Sequence, residues 1–373
     1  MNIGFISLEN PYDKNNNGGI GTYTGIMAKA LSERGNNIYI FTVGEKTDYS
    51  IENTNISMIF IKNIDTKYSY FLEMSYKFYK KIMYIHARCG LDVVEAPEWL
   101  AQGYVISTER DIPVITRLHT PLYILKKITP GQAYYKEDRI ICALEEQQCK
   151  NSKLITTPSI ELGRVMSNEW GVDSTYIPNP IMVSTCNAKY DMSDYILYLG
   201  RLEYRKGIMS FAYAINEFLG RNEKAKVILC GRDTIYMKRS MKKFVQKTCD
   251  EYLDRIVFIE HITGEEKRQL IGQAMAIVLP SIWENCSYVG LEAMSMEKTV
   301  IVSNTGGFIE MVDDRIDGYK FEVNDIHKMA ELMYKVSMGE IVDTGAAAKK
   351  KILDKYNVEK IISQYEKLIY EVL

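Results

Sequence analysis

Ile177-Pro178-Asn179-Pro180 divides the chain into two stretches that share one rhythm. Two prolines separated by a single residue make a poor helix or central strand and a good hinge, because each fixes φ and lacks an amide donor. Before this tetrapeptide, short β-branched runs at 3–8, 38–43, 56–61, 92–95 and 114–119 alternate with longer segments, such as 22–34 and 68–87. In those longer segments apolar residues recur three and four apart, as on one face of a helix. After the tetrapeptide the rhythm restarts, with strands expected at 195–199, 226–230, 256–259, 276–279 and 300–303. Strands alternating with helical segments are the signature of parallel sheets with crossover helices. The chain ends in helical patterns at 346–356 and 358–372, the second carrying Ile361, Ile362, Tyr365, Leu368 and Ile369 on an apolar face that must pack on something. In a two-domain chain such a helix can cross back to the first domain. The expected fold is therefore α/β, two facing doubly wound sheets with a cleft between them. Residues 1–178 form the first domain, 179–355 the second and 356–373 the crossover helix. Ligands in such sheets bind at the carboxyl ends of the strands.

Length agrees, since 373 residues exceed the size at which one hydrophobic core keeps growing. With 46% hydrophobic and 25% charged residues the chain has the composition of a folded globular protein, which argues against disorder. A formal net charge of −2 lacks the basic excess of a non-specific nucleic-acid binder. The cysteines at 89, 142, 149, 186, 230, 249 and 286 are odd in number and form no Cys-x-x-Cys pair. Reduced thiols in a cytoplasmic protein fit that pattern better than a disulfide framework or a structural zinc site. The N-terminus reads as a core strand rather than a signal peptide, and no apolar run approaches the length that spans a bilayer. Lys77, Lys80 and Lys81 beside Phe78 and Tyr79 raise the question of a peripheral membrane patch, but a core helix with a solvated lysine face is the better reading.

Three loops at strand ends carry candidate chemistry. The first is Asn15-Asn16-Asn17-Gly18-Gly19-Ile20-Gly21, which opens a helix. Its glycines let backbone approach a ligand, and a helix start favours an anion. A dinucleotide fingerprint fails, because Thr24 stands where a third glycine is needed and a long polar loop intervenes. A ligand-free glycine turn explains this loop equally well. The second is Leu199-Gly200-Arg201-Leu202-Glu203-Tyr204-Arg205-Lys206-Gly207, where Arg201 and Lys206 could flank a diphosphate. From charge alone a solvated basic turn, to which Arg205 can belong, is the plainer reading. The third runs from Ser281 to Met294: Glu284 lies in a loop, and a helix begins near Tyr288 with Glu292 in its first turns. Helix amides can meet phosphate and carboxylates can bind sugar hydroxyls, while a first-turn acid favoured by the helix dipole explains Glu292 as well. Thr305-Gly306-Gly307 after the next strand offers a further close backbone approach.

Taken in order, these residues resemble the retaining glycosyltransferases of family four, whose GT-B fold pairs two Rossmann-like domains. The likeness rests on Gly200-Arg201-Leu202 ending in Lys206-Gly207, on Glu284 and Glu292 with Ala293-Met294 after them, and on Gly306-Gly307 with Glu310. The Gly18-Gly19 loop, His119 and the terminal helix extend it over essentially the whole chain. The resemblance implies a nucleotide-sugar donor. Gly18, Gly19 and Gly21 would meet donor phosphate, with room for the sugar. Arg201 and Lys206 would neutralise the diphosphate, and Glu284 would position the transferred sugar. The helix start at Ser287, Tyr288 and Val289 would add donor contacts, Glu292 would hold the ribose, and Gly306 and Gly307 would line the same site. His119 is similar to the family histidine near the transferred sugar, against the alternative of a structural histidine. His86, His261 and His327 match nothing in the family pattern and read as structural or solvated.

No Asp-x-Asp triplet occurs, so no metal clamp is expected and fixed cations would have to stabilise the leaving diphosphate. No cofactor is implied, because the nucleotide-sugar is a substrate. The chain departs from many relatives at Asn285-Cys286-Ser287, next to the expected sugar, and UDP is preferred to GDP by a small margin. The acceptor is a glycan, lipid-linked or small-molecule hydroxyl, and Trp99, Leu122 and Tyr123 could line its side of the site. Two other readings remain: a nucleotide-sugar epimerase on the same fold, and a non-catalytic nucleotide-sugar-binding partner, against which Arg201, Lys206 and Glu284 argue.

Overall fold

The structure is a computed structural model that describes residues 1–13, 18–63, 70–131, 133–183, 193–260 and 262–373. Residues 15–17 of the glycine loop, the start of the 68–87 segment, Cys186 and His261 lie outside the described residues. The chain divides into two compact units, one of Met1–Met182 with Asn357–Leu373 and one of Val183–Tyr356.

The first unit is built on an eight-stranded sheet of β1 (Asn2–Ile6), β2 (Asn37–Val43), β3 (Tyr49–Ser50), β4 (Ile56–Ile61), β5 (Val93–Pro97), β6 (Val114–Arg117), β7 (Leu154–Thr157) and β8 (Thr175–Tyr176). Its spatial order is β3-β4-β2-β1-β5-β6-β7-β8, and every pair is parallel except β3 with β4. The chain builds outward from β1 in one direction and then restarts with β5 on the other side, which makes β1 and β5 the switch point. Crossover helices include α1 (Gly19–Glu33), α2 (Tyr70–Cys89) and α3 (Lys136–Asn151). Helix α2 buries Met74, Phe78, Ile82 and Ile85 against Ile59, Val94 and Ile106, so Phe78 is core rather than surface.

The second unit has a six-stranded, all-parallel sheet of β9 (Tyr195–Leu199), β10 (Lys226–Cys230), β13 (Ile256–Ile259), β14 (Ala276–Leu279), β15 (Val300–Ser303) and β16 (Tyr319–Phe321). A hairpin of β11 (Ile235–Tyr236) and β12 (Arg239–Ser240) stands apart from it. The order β13-β10-β9-β14-β15-β16 puts the switch point between β9 and β14. Both are near-continuous apolar runs, as strands covered on two faces require. Helix α4 (Ile208–Arg221) buries Ile208, Phe211, Ile215, Phe218 and Leu219 over β9 and β10. Helices α5 (Gly264–Gln273) and α6 (Tyr288–Ser295) follow β13 and β14.

The last helix, α7 (Val358–Val372), belongs to the first unit. Its buried face of Ile361, Ile362, Tyr365 and Ile369 lies beside α1. The Tyr365 hydroxyl donates to Glu95 on β5 at 2.6 Å, and Arg34 at the end of α1 pairs with Glu359 and Glu366. The sequence puts the domain boundary at 178/179, whereas the units divide after Met182. The reason is local: the buried Arg117 donates to the Ile177 carbonyl at 2.7 Å and to Asn179 Oδ1 at 2.9 Å, and Ile181 bridges Asn357. These bonds hold the proline segment to the first unit.

Candidate active site

In the second unit the loops after β9, β14 and β15 converge at the switch point. After Leu199 the chain makes a tight turn through Tyr204–Lys206 and enters α4 at Gly207. Gly207 has φ +71°, and a Cβ there would lie 1.8 Å from the Pro280 carbonyl oxygen, so only glycine lets the two loops touch. Ile282 N–H donates to the Arg205 carbonyl at 2.8 Å and joins them further.

That contact brings the Lys206 ammonium onto the Glu284 carboxylate, both largely buried. Arg205 stands 3.9 Å from the other Glu284 oxygen, donates to the Trp283 carbonyl at 3.2 Å and pairs with Glu203 at 2.9 Å. Arg205 therefore does not belong to a solvated turn, because its guanidinium braces the glutamate loop. Burial by itself would raise the Glu284 carboxyl, but the Lys206 and Arg205 charges outweigh it and hold the group below the usual carboxylate range. Arg201 differs from its neighbours: its side chain is 60% exposed and its contact is with Glu203 at 3.2 Å. It is the cation of this turn that an incoming anion can recruit without breaking a buried pair.

Glu284 is also fixed from below. Gly307 N–H donates to the Glu284 carbonyl at 2.7 Å, and a Cβ on Gly306, at φ +50°, would fall 2.1 Å from that same oxygen. The close approach made by Gly306 and Gly307 is thus to the Glu284 backbone. Ser303 and Thr305 hydroxyls donate to the Ser281 and Ile282 carbonyls at 2.5 and 3.1 Å, and Trp283 Nε1 donates to Asn285 Oδ1 at 2.8 Å. The Asn285 that departs from the family pattern therefore stiffens the loop. Ser287 caps α6, its hydroxyl accepting the Gly290 N–H at 3.3 Å, so Tyr288 and Val289 open the helix. Glu292 on that helix pairs with Lys267 of α5 at 2.5 Å.

The expected residues of the first unit lie after β1 and β6. The Gly21 N–H at the start of α1 donates to Glu9 Oε2 at 2.6 Å, and a Cβ on Gly18 would fall 2.3 Å from Glu9 Oε1. The amide expected to meet phosphate is bound here by the chain's own carboxylate, while Gly19 faces open space. His119 follows β6 by two residues. Its N–H donates to Glu98 Oε2 at 2.7 Å, and its ring meets Tyr23 of α1 edge-on at 5.7 Å. Burial first, and the Arg117 charge second, push the imidazole down to about 3, so His119 is neutral at physiological pH. A neutral ring can donate or accept one hydrogen bond and brings no charge to a phosphate.

Several residues escaped the sequence reading. Glu145 of α3 accepts the Leu100 N–H at 2.9 Å and the Leu122 N–H at 3.0 Å, while Gln148 accepts the Gly103 N–H at 2.9 Å and donates to the Pro97 carbonyl at 2.9 Å. Together they hold a turn in which Leu100 and Ala101 have φ of +58° and +49°, unusual for residues with side chains. Leu122 is buried, which makes it core, while Trp99 and Tyr123 remain partly exposed. His86 bonds the Leu91 carbonyl and His327 bonds Glu217, both away from these loops. Among the described residues, no three His, Cys, Asp or Glu side chains converge as metal ligands would, and no helix is long and apolar enough to cross a membrane.

Two doubly wound units, the second with cations and carboxylates gathered at its switch point, have the architecture of the GT-B glycosyltransferases. The chain belongs to the group 1, family 4 glycosyltransferases: residues 17–184 match the Glycosyltransferase Family 4 model and residues 185–351 the Glycosyl transferases group 1 model. Among curated relatives it is 23% identical over 253 residues to the alpha-maltose-1-phosphate synthase of Mycobacterium tuberculosis, covering 62% of this chain and 65% of the relative. It is 27% identical to the O-antigen chain mannosyltransferase RfbU of Salmonella typhimurium, covering 57% and 62%. An uncharacterized glycosyltransferase of Methanocaldococcus jannaschii matches at 30% identity over 33% of this chain and 30% of its own length. The chain thus spans less than two thirds of these relatives. Among solved structures, sucrose-phosphate synthase from Thermosynechococcus elongatus has a TM-score of 0.83 at 19% identity, covering 99% and 98% of the two chains. HepE of Anabaena, in complex with UDP and glucose, has a TM-score of 0.72 at 16% identity, covering 99% of each. These likenesses show the GT-B fold.

Proposed function

We propose that the chain is a retaining, metal-independent glycosyltransferase that moves a sugar from a UDP-sugar to a hydroxyl of a glycan, lipid-linked or small-molecule acceptor and forms an α-glycosidic bond. The observation that carries this reading is the Lys206–Glu284 pair flanked by Arg205 and the exposed Arg201 at the β9–β14 switch point. A diphosphate arriving there meets fixed positive charge. Lys206 can turn from Glu284 to phosphate, which frees a Glu284 oxygen to accept sugar hydroxyls. Negative charge grows on the diphosphate as the sugar leaves, so cations fixed in advance help the transition state more than the ground state. Glu292 then holds the ribose and neutral His119 the sugar. HepE has been solved with UDP-glucose, which supports UDP over GDP as the donor nucleotide. Retention rests on the family, and the setting we assign is the cytoplasm. Any membrane contact of the exposed α2 face is peripheral, and solvated lysines over a core helix remain its better reading.

One experiment tests the reaction. Candidate donors are supplied with and without acceptors in excess EDTA, and the product anomer is determined by NMR. Activity restored only by Mg²⁺ or Mn²⁺ would remove the metal-free clamp, and an inverted product would remove retention. Altered sugar released without any acceptor would favour an epimerase.

A further inference from the structure

Lys267 sits in the first turn of α5, where the helix dipole disfavours a cation and favours the acids Glu265 and Glu266 beside it. A lysine placed there needs a partner elsewhere. Glu265 is engaged by Arg268 at 2.6 Å, and the Lys267 ammonium reaches instead to Glu292 Oε2 at 2.5 Å. That oxygen is shielded from water and receives no aligned hydrogen bond, so the contact is one of charge. Lys267 also lies close enough to Cys230, the last residue of β10, to oppose the upward push that burial gives the thiol. The ammonium therefore stands near the carboxyl edge of the sheet, between the end of β10 and Glu292 in the middle of α6. β10 and β14 are the two neighbours of β9, so this contact spans the mouth of the switch point.

We infer that Lys267 is a positioning residue for the donor ribose: by tying Glu292 Oε2 it fixes the carboxylate plane and leaves Oε1 to accept the ribose hydroxyls. The inference rests on the ribose role assigned to Glu292 above. A carboxylate free to rotate must be ordered when the donor binds, whereas one already held by a cation is ordered beforehand. The benefit has a chemical signature, because it exists only for a nucleotide that carries ribose hydroxyls.

The test is titration calorimetry of the full chain, its Lys267→Met, Lys267→Arg and Glu292→Gln variants, with UDP, GDP and their 2′,3′-dideoxy forms. Lys267→Met should weaken the ribonucleotide by about tenfold, the loss expected when one charge-assisted bond from ribose to Glu292 is no longer held in line. It should leave the dideoxy form unchanged, and Lys267→Arg should restore most of the loss. Equal weakening of both forms would make Lys267 a phosphate contact and overturn the inference. A silent Lys267→Met beside a costly Glu292→Gln would also overturn it, with the ribose role of Glu292 intact. If Glu292→Gln is silent too, or neither diphosphate binds, the donor-site reading falls and this inference falls with it. Melting curves of the variants separate misfolding from these outcomes, since a misfolded protein would lose affinity for both forms alike.

Discussion

Lys206 and Glu284 are ion-paired across two loops that Gly207 allows to touch, while Arg201, two residues past the end of β9 at Leu199, stays largely in solvent. The two cations assigned to the diphosphate should therefore fail differently. Arg201→Ala removes an exposed group whose contact is with Glu203, so the melting temperature should hold while kcat falls by roughly 10²–10³-fold, the loss typical of one preorganised donor. Lys206→Ala leaves a largely buried carboxylate with Arg205 as its remaining cation, so it should lower kcat and the melting temperature together. Steady-state kinetics and calorimetry on both variants check this; equal thermal shifts would contradict the distinction.

Gly306→Ala should be more damaging than its distance from any side-chain chemistry suggests. The added Cβ would fall 2.1 Å from the Glu284 carbonyl oxygen, in a backbone conformation at φ +50° that alanine disfavours. The strain alone is of order 1–3 kcal/mol. Relief must come from moving Glu284, so stability and turnover should fall together. A variant with a normal melting curve and normal activity would show that the shelf beneath Glu284 is dispensable.

Strands β9, β10, β13, β14 and β15 coincide with the runs expected from sequence at 195–199, 226–230, 256–259, 276–279 and 300–303, because each is a short apolar stretch bounded by polar or turn residues. β7 and β16 escaped because Leu-Ile-Thr-Thr and Tyr-Lys-Phe carry little pattern, and β3, β8, β11 and β12 because two residues carry none. β6 ends at Arg117, earlier than expected, which leaves His119 in the following loop. In the candidate site, the roles expected of Arg201, Lys206, Glu284 and Glu292 came from the family resemblance, while their places after strands were legible in the sequence. Their partners were not. Glu9 with Gly21, Glu145 with Leu100 and Leu122, and Lys267 with Glu292 are pairings between distant segments, and no local period encodes them.

Glu9 should compete with the donor. Its carboxylate accepts the Gly21 N–H at 2.6 Å, the kind of helix-start amide that would otherwise meet a phosphate. Glu9→Gln keeps a hydrogen-bond acceptor and removes the charge, so donor KM should fall, by about 3- to 10-fold if one charged contact is relieved. Gly18→Ala gives the structural counterpart. Its Cβ would lie 2.3 Å from Glu9 Oε1, so the substitution should cost stability in the natural chain and much less beside Glu9→Ala. An unchanged donor KM in Glu9→Gln would mean that phosphate does not use this amide.

Glu98 should make the first unit lose stability as pH rises through neutrality. Burial pushes its carboxyl up to about 8, against the opposing N–H bonds from His119 and its own turn and the charge of Arg117. An unfolded glutamate titrates near about 4.3. Between these values the folded chain keeps a proton that the unfolded chain has released. The unfolded state then binds fewer protons, so stability falls with rising pH, by up to about 1.4 kcal/mol per pH unit for one fully coupled site. Above about pH 8 both states are ionised and the loss stops growing. Glu98→Gln retains an oxygen that can accept the His119 N–H bond now made at 2.7 Å, and it removes the titration. The variant should therefore gain on the natural chain in melting temperature from about pH 5 to about pH 8 and run parallel to it beyond. Glu145, whose carboxyl is raised by burial and then by Glu98, remains in both proteins, and loss of the Glu98 charge should let it ionise at lower pH, which lessens its own loss of stability in the variant and adds to the difference. Calorimetry of both chains across this range reads the effect directly, and a melting-temperature difference independent of pH would mean that Glu98 is ionised in the fold throughout.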